Sequence, residues 1–273
     1  MSMIKILALA TCFNRKEKTI KAINSLVNGN RSIEFSFIIC DDKSTDGTKE
    51  LLEKYENVKV VNGTGKLFWC GGMRRTIEYA LHEERKYDYC LFFNDDVDFF
   101  DGTIERIVNK AKDVVWVFPT CDINNNLTYG GVIKTSNFWP KYKTLMGNNV
   151  NGTDCDTFNG NCVLIPWDIF IEVGNMDSVY THQFGDYDYG FMIKKHNYKI
   201  KVANEFVGIC NTNGDSNTFN DKTLSIKQRL KLKKLPNKGL PAYEWFHYLY
   251  KNYNILTAII YSITPYIKII ARR

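Results

Sequence analysis

Residues 89–98 read YCLFFNDDVD: an apolar run from Cys90 to Phe93 that ends abruptly in Asn94, Asp95, Asp96 and Asp98. A short, aromatic, uninterrupted run predicts a buried strand. A buried strand that stops in carboxylates presents them, and in open α/β sheets ligands sit outside the carboxyl ends of the strands. Asp96 and Asp98, two apart in extended backbone, are spaced to reach one divalent cation together, and hard oxygen ligands favour Mg²⁺ or Mn²⁺. A solvated acidic turn is the competing reading, because Asp and Asn are favoured in turns.

Outward from this stretch the same pattern repeats. Apolar runs over 4–10, 35–40, 58–61 and 114–118 predict strands, and helix-spaced segments over 16–27, 47–55, 71–83 and 102–112 fall between them. Strands alternating with helices predict a mostly parallel sheet with right-handed crossovers. The unusual residues then gather at one sheet edge: Thr11, Asn14 and Arg15 after the first strand, Asp41, Asp42 and Asp46 after the second, and 95–98 after the fourth. Asp46 reads either as a cap for the helix that begins at Gly47 or as a ligand contact. Asp41, at a strand's last position, is placed to accept from a nucleobase N–H or a ribose hydroxyl. The turn after the first strand, ATCFNRKE, has no glycine, which excludes a GxGxxG dinucleotide site; Gly63, Gly65 and Lys66 have the wrong spacing for a phosphate-cradling GxxxxGK[ST] loop.

Residues 66–75, KLFWCGGMRR, put Trp69, Gly71, Gly72, Arg74 and Arg75 at a helix start. Helix N-termini and arginines both favour phosphate, although a plain turn with exposed basic residues is open. Beyond residue 120 the alternation gives way to Asn- and Gly-rich loops at 124–126 and 147–152, of the kind that carry specificity. Order returns over 158–165, before a helix from Pro166. Residues 181–190, THQFGDYDYG, hold a second carboxylate cluster: one of Asp186 and Asp188 is a candidate general base, or either caps the helix that follows. His182, a lone histidine without ligand spacing, reads as structural.

With 273 residues, 44% hydrophobic and 24% charged, the chain has enough apolar material for one sizeable α/β domain plus an appendage, or for two small domains, which excludes a disordered chain. Its eight cysteines form no CxxC pair, which argues against zinc and against a disulfide framework. Together with an N-terminus unlike a signal peptide, this predicts a cytoplasmic protein. The net charge of +6 is uneven: residues 222–273 hold 11 Lys+Arg and one acidic residue, so the tail carries +10 and the body −4. Such a tail predicts an anionic partner.

Taken together, TCFNR, CDDKSTDGT, FWCGGMRR, NDDVD, FNGNCVLIP and GDYDYGFMIKK resemble the inverting GT-A glycosyltransferases of family 2 over residues 3–210. The resemblance implies a Rossmann-like catalytic domain over 1–215, with a nucleotide-sugar-binding half (1–120) and an acceptor half (121–215); beyond it the composition predicts a basic, aromatic helical extension over 216–273. It implies a UDP- or dTDP-type sugar donor and a glycan or lipid-linked glycan acceptor in cell-surface polysaccharide synthesis. Thr11, Asn14, Arg15, Asp41, Trp69, Gly71, Gly72, Arg74, Arg75 and Asp95 would line the donor pocket, and Asn161 the floor beneath the sugar. Asp96 and Asp98 would hold Mg²⁺ or Mn²⁺ on the diphosphate; Asp186 would be the base, with Asp188 orienting it. Gly185 stands where many relatives have Glu, no histidine follows Gly208 as a third metal ligand, and Arg74 and Arg75 replace an expected Asn.

A sugar nucleotidyltransferase would need a glycine-rich loop after the first strand, which is missing. A non-catalytic module binding nucleic acid or membrane would leave both carboxylate clusters unexplained, and nucleic acid is not expected as a partner. In the tail, the uncharged stretch 253–267 is shorter than the ~20 residues of a spanning helix. It is expected to lie on the inner face of the membrane, or else to pack on the catalytic domain or on a second subunit in a homodimer.

Overall fold

The computed structural model describes residues 3–108, 113–212 and 214–271. The first half alternates as the periodicity predicts: β1 (Ile4–Cys12), α1 (Lys16–Gly29), β2 (Ile33–Asp41), α2 (Thr48–Leu52), β3 (Val58–Asn62), α3 (Phe68–Leu81) and β4 (Tyr89–Phe93). β3, β2, β1 and β4 lie side by side and all run parallel. Their interiors are apolar in both directions because both faces are covered. From β1, Ile6, Ala8 and Ala10 face α1 through Ala22, Ile23 and Leu26, while Leu7 and Leu9 face α3 through Met73 and Ile77.

After β4 come β5 (Asp98–Phe99), α4 (Glu105–Val108), β6 (Val114–Val117), β7 (Thr120–Cys121), β8 (Leu127–Tyr129), β9 (Gly131–Lys134), β10 (Tyr142–Leu145), β11 (Thr153–Asp154), β12 (Thr157–Phe158) and β13 (Cys162–Pro166). Of the helix expected over 102–112, residues 102–104 form a turn and 109–112 lie outside the described residues. The loops expected beyond residue 120 thus contain short strands, which form a sheet of β10, β9 and β12 and another of β5, β15, β7 and β8, β15 being Gly208–Ile209. β13 slots between β4 and β6 and runs antiparallel to both, so the eight-stranded central sheet is mixed beyond β4. β14 (Lys199–Val202), parallel to β6, and then β11 complete it.

α5 (Trp167–Val173) and α6 (Gly185–Lys195) cover the α3 face of the sheet. The C-terminal segment is helical: α7 (Ile226–Leu232), α8 (Ala242–Asn252) and α9 (Ile255–Ile270). Trp245, Tyr248 and Leu249 of α8 close a third core with Cys70, Tyr180 and Phe191 of the body.

Candidate active site

Two adjoining hollows open at the carboxyl ends of β1 and β4. A cleft of about 570 Å³ runs from Arg15, Asp95 and Asp96 to Asn161 and Asp186, walled by Tyr129, Tyr142, Phe184 and Tyr187. A smaller hollow of about 240 Å³ lies beside it, lined by Thr11, Cys12, Phe13, Asp42, Phe68 and Asn237. Arg15, Trp69, Asp95 and His182 border both.

Arg15 is the charge centre. Its Nη1 donates to Asp95 (3.1 Å) and Asp96 (3.0 Å), and Thr19 also donates to Asp95 (3.3 Å). Burial pushes the Asp95 carboxyl up to about 6 against the pull of Arg15, and Asp96 adds repulsion. A guanidinium spanning two carboxylates marks a place built for positive charge. The donors are hard oxygens, which suit Mg²⁺ or Mn²⁺, and such ions take few protein carboxylates and complete their shell with phosphate and water. Among the described residues no group of three or more His, Cys, Asp or Glu is arranged to hold a metal ion. The Cys210 thiol stands 3.6 Å from Asp96 Oδ1, on the segment after Gly208.

Asp98 is elsewhere. Its carboxylate accepts from Lys21 Nζ (2.6 Å) and borders a separate hollow against α1, because Phe99 is buried and the backbone turns as it enters β5. The expected Asp96–Asp98 pair is therefore not assembled, and Asn94, Asp95 and Asp96 face the cleft together.

Asp186 lies across the cleft, on the first turn of α6. Its Oδ2 accepts from Gly160 N (3.0 Å) and its Oδ1 from Tyr187 N (2.8 Å), and burial raises its carboxyl to about 6. The helix begins at Gly185, before Asp186 and Asp188, so both cluster carboxylates are helical. Gly185 is a packing requirement: a Cβ there would stand 2.5 Å from Cys70 Sγ, leaving no room for Glu. Asp188, expected to orient the base, points the other way. It is buried, accepts from Lys251 Nζ (2.7 Å) and Asn252 Nδ2 (2.8 Å), and so docks α8.

The remaining expected residues divide between lining and framing. Trp69 separates the hollows, its indole N–H donating to Asn94 Oδ1 (2.8 Å). Asn161 borders the cleft beside Cys210. Gly72 is where α3 meets β1, as a Cβ would stand 2.1 Å from Thr11 Oγ1, and Gly71 packs on Leu67. Asn14 braces the second loop, accepting from Thr45 N (2.7 Å). Asp41 is buried and accepts from Ser44 N (3.0 Å), so it shapes the loop. Asp46 accepts from the first amides of both α1 and α2, Lys16 N (3.0 Å) and Thr48 N (3.1 Å). Arg74 reaches the carbonyls of Asp177 and Tyr180, and Arg75 pairs with Glu78 (3.3 Å); neither borders the two hollows.

Three features escaped the sequence reading. His182 borders both hollows, and its Nδ1 faces the Trp69 amide (3.4 Å), which leaves the proton on Nε2. Burial, reinforced by Arg15, lowers its pKa and keeps the ring neutral. Asn237 enters the smaller hollow from the extension. Phe184 holds a left-handed backbone (φ 64°), a conformation costing on the order of 1–3 kcal/mol. Stacking on Tyr248 at 4.7 Å and packing against Trp245 at 5.0 Å offset that cost.

A family model described as "Glycosyl transferase family 2" matches residues 8–174. Comparison with the curated proteins finds no match. Among solved structures, TarS of S. aureus in complex with UDP-GlcNAc superposes with a TM-score of 0.57 at 13% identity, over 98% of this chain and 72% of that one. The mannosyltransferase PcManGT of Pyrobaculum calidifontis, in complex with GDP-Man and Mn²⁺, gives 0.53 at 11% identity over 98% and 73%. GalNAc-T7 with UDP, GalNAc and Mn²⁺ gives 0.58 at 12% identity, over 74% of this chain but only 42% of that one. At these identities the superpositions speak for the fold, and the family match speaks for the kind of enzyme: the chain belongs to glycosyl transferase family 2 and is a glycosyltransferase of the GT-A fold.

Proposed function

We propose that this enzyme moves a hexosyl or deoxyhexosyl unit from a UDP- or dTDP-type sugar to a hydroxyl of a glycan or lipid-linked glycan, with inversion, in cell-surface polysaccharide synthesis. One observation carries the reading: a carboxylate raised to about 6, Asp186, stands in the same cleft as, and across from, the Arg15–Asp95–Asp96 cluster. Donor and acceptor chemistry then meet in one cleft. The smaller hollow, with Phe13 and Phe68 at its wall, suits a nucleobase. In the same reading 1–120 is the donor half, 121–215 the acceptor half, and 216–273 an extension that reaches the donor through Asn237.

Asp96, with Asp95 behind it, would hold Mg²⁺ or Mn²⁺, which when bound neutralises charge on the diphosphate. Arg15 and the Nε2–H of His182 are placed to hold the diphosphate between the two hollows. On the other side Asp186, ionised at neutral pH, takes the proton from the acceptor hydroxyl as that oxygen bonds to the anomeric carbon. The bond from the anomeric carbon to the diphosphate breaks in the same displacement, and its electron pair leaves on the diphosphate oxygen. Tyr142, Phe184 and Tyr187 offer aromatic faces to the acceptor sugar.

A panel of nucleotide-sugars with Mn²⁺, read as release of nucleoside diphosphate, tests the proposal. Turnover of at least one donor, abolished in Asp186→Asn, is expected. A panel that is untouched by the wild-type enzyme, or an Asp186→Asn variant that transfers at the wild-type rate, contradicts it.

A further inference from the structure

α9 carries an unpartnered stripe. Leu256, Ile259, Ile260, Ile263, Ile267 and Ile270 recur at helical spacing on one face and are 40% to 65% exposed. The opposite face is the one that packs: Thr257, Ala258 and Ile269 are buried, Trp245 Nε1 donates to the Tyr261 carbonyl (2.9 Å), and Lys233 Nζ sits 4.1 Å over the Tyr266 ring. Packing on the catalytic domain therefore accounts for one side of the helix and leaves the aliphatic side without a role. A second apolar element adjoins it. Thr257 Oγ1 donates to the Phe138 carbonyl (2.9 Å) and Trp139 lies 5.5 Å from Tyr261, while the Phe138 and Trp139 rings are 69% and 44% exposed. Their turn joins β9 to β10, and Tyr142 of β10 walls the cleft.

We propose that the α9 stripe and the Phe138–Trp139 turn form one docking face for an anionic lipid bilayer. An aliphatic stripe flanked by Trp and Phe matches the depth at which amphipathic segments lie in a bilayer surface. Charge selects the anionic surface: of the 11 Lys+Arg in residues 222–273, Arg229 and Lys233 are buried and Lys251 is paired with Asp177 and Asp188, which leaves eight, while the one acid, Glu244, is buried and accepts from Thr181 N (3.2 Å). The same charge disfavours a second copy, since a twofold contact through this face would bring two basic segments together. The helix cannot span: its 16 residues reach ~24 Å, short of the ~30 Å hydrocarbon layer, and Pro265 and Lys268 interrupt it. Among the described residues no helix is long and apolar enough to cross a membrane. Docked this way, the turn brings the cleft wall next to the headgroups, which favours a lipid-linked acceptor; that consequence rests on the transferase reading, while the docking itself does not.

Flotation of the full chain with phosphatidylcholine vesicles, with and without phosphatidylglycerol, tests the proposal at low and high salt. The chain is expected to float with the anionic vesicles and to detach from them as salt rises. The pairs Ile259→Glu with Ile263→Glu, and Phe138→Ser with Trp139→Ser, are exposed substitutions. Each pair should weaken partitioning about tenfold or more while unfolding temperature and nucleoside-diphosphate binding stay at wild-type values. No flotation with anionic vesicles, flotation of both variants at the wild-type level, or a lipid-free dimer dissolved by Ile263→Glu would overturn the proposal. Flotation by a chain that binds no nucleoside diphosphate would keep the docking face and remove the proposed nucleotide-sugar reaction instead.

Discussion

Two carboxylates with the same raised value, near 6, stand in different surroundings. Asp95 is tied by Arg15 and Thr19, whereas Asp186 accepts only backbone N–H groups and keeps lone pairs toward the cleft. If Asp186 is the base, its working form is the ionised one. The transfer rate at saturating donor should therefore climb as pH rises through about 6 and level off above it. A rate that falls across that window would assign the proton to another group. Asp186→Asn should cost roughly 10²- to 10⁴-fold in kcat and leave donor affinity unchanged, as calorimetry would show. Asp98→Ala should retain near-wild-type turnover, because that side chain pairs with Lys21 outside the cleft; a loss comparable with that of Asp96→Ala would mean that Asp98 swings in to the metal. Position alone, at a strand end and at a helix start, brought Asp96 and Asp186 forward only together with Asp98 and Asp188, and it was the family resemblance that singled out Asp186. The sequence could not reveal that Asp41 and Asp98 turn away, since a Ser44 amide and a Lys21 ammonium decide that in three dimensions.

Among the elements, β1 to β4 and their helices were readable because each strand is a short, mostly apolar run rich in β-branched or aromatic residues and the helices between them carry apolar residues at helical spacing. The insertion of β13 antiparallel between β4 and β6 was not, because strand direction leaves no trace in a five-residue run such as CVLIP. Nor was the role of α8, which reads as an amphipathic helix like any other. It is nonetheless what holds α6: Lys251 bridges Asp188 (2.7 Å) and Asp177 (2.9 Å), and His247 joins Asp177 (2.9 Å). Removing one partner of a buried ion pair costs on the order of 3 kcal/mol. Asp188→Ala should lower the unfolding midpoint in urea accordingly while folded protein still binds nucleoside diphosphate. An unchanged midpoint, or selective loss of turnover at full stability, would return Asp188 to the chemistry.

At the scale of the whole molecule, the site is a product of three segments: the first sheet half supplies Arg15, Asp95 and Asp96, the middle supplies Asn161 and Asp186, and the extension supplies Asn237 and the aromatic support behind Phe184. The family match ends at residue 174, so it does not reach Asp186 or the extension, whose part in the reaction is proposed from geometry. The central claim is that a nucleoside diphosphate and a divalent cation are held together at the Arg15–Asp96 end of the cleft. Calorimetric titration of UDP, dTDP and GDP into the full chain, with and without Mn²⁺, tests it most directly. The account predicts that at least one binds in the presence of Mn²⁺, more weakly without it, and that Asp96→Ala removes the difference. Binding that is indifferent to Mn²⁺, or to Asp96→Ala, would contradict it.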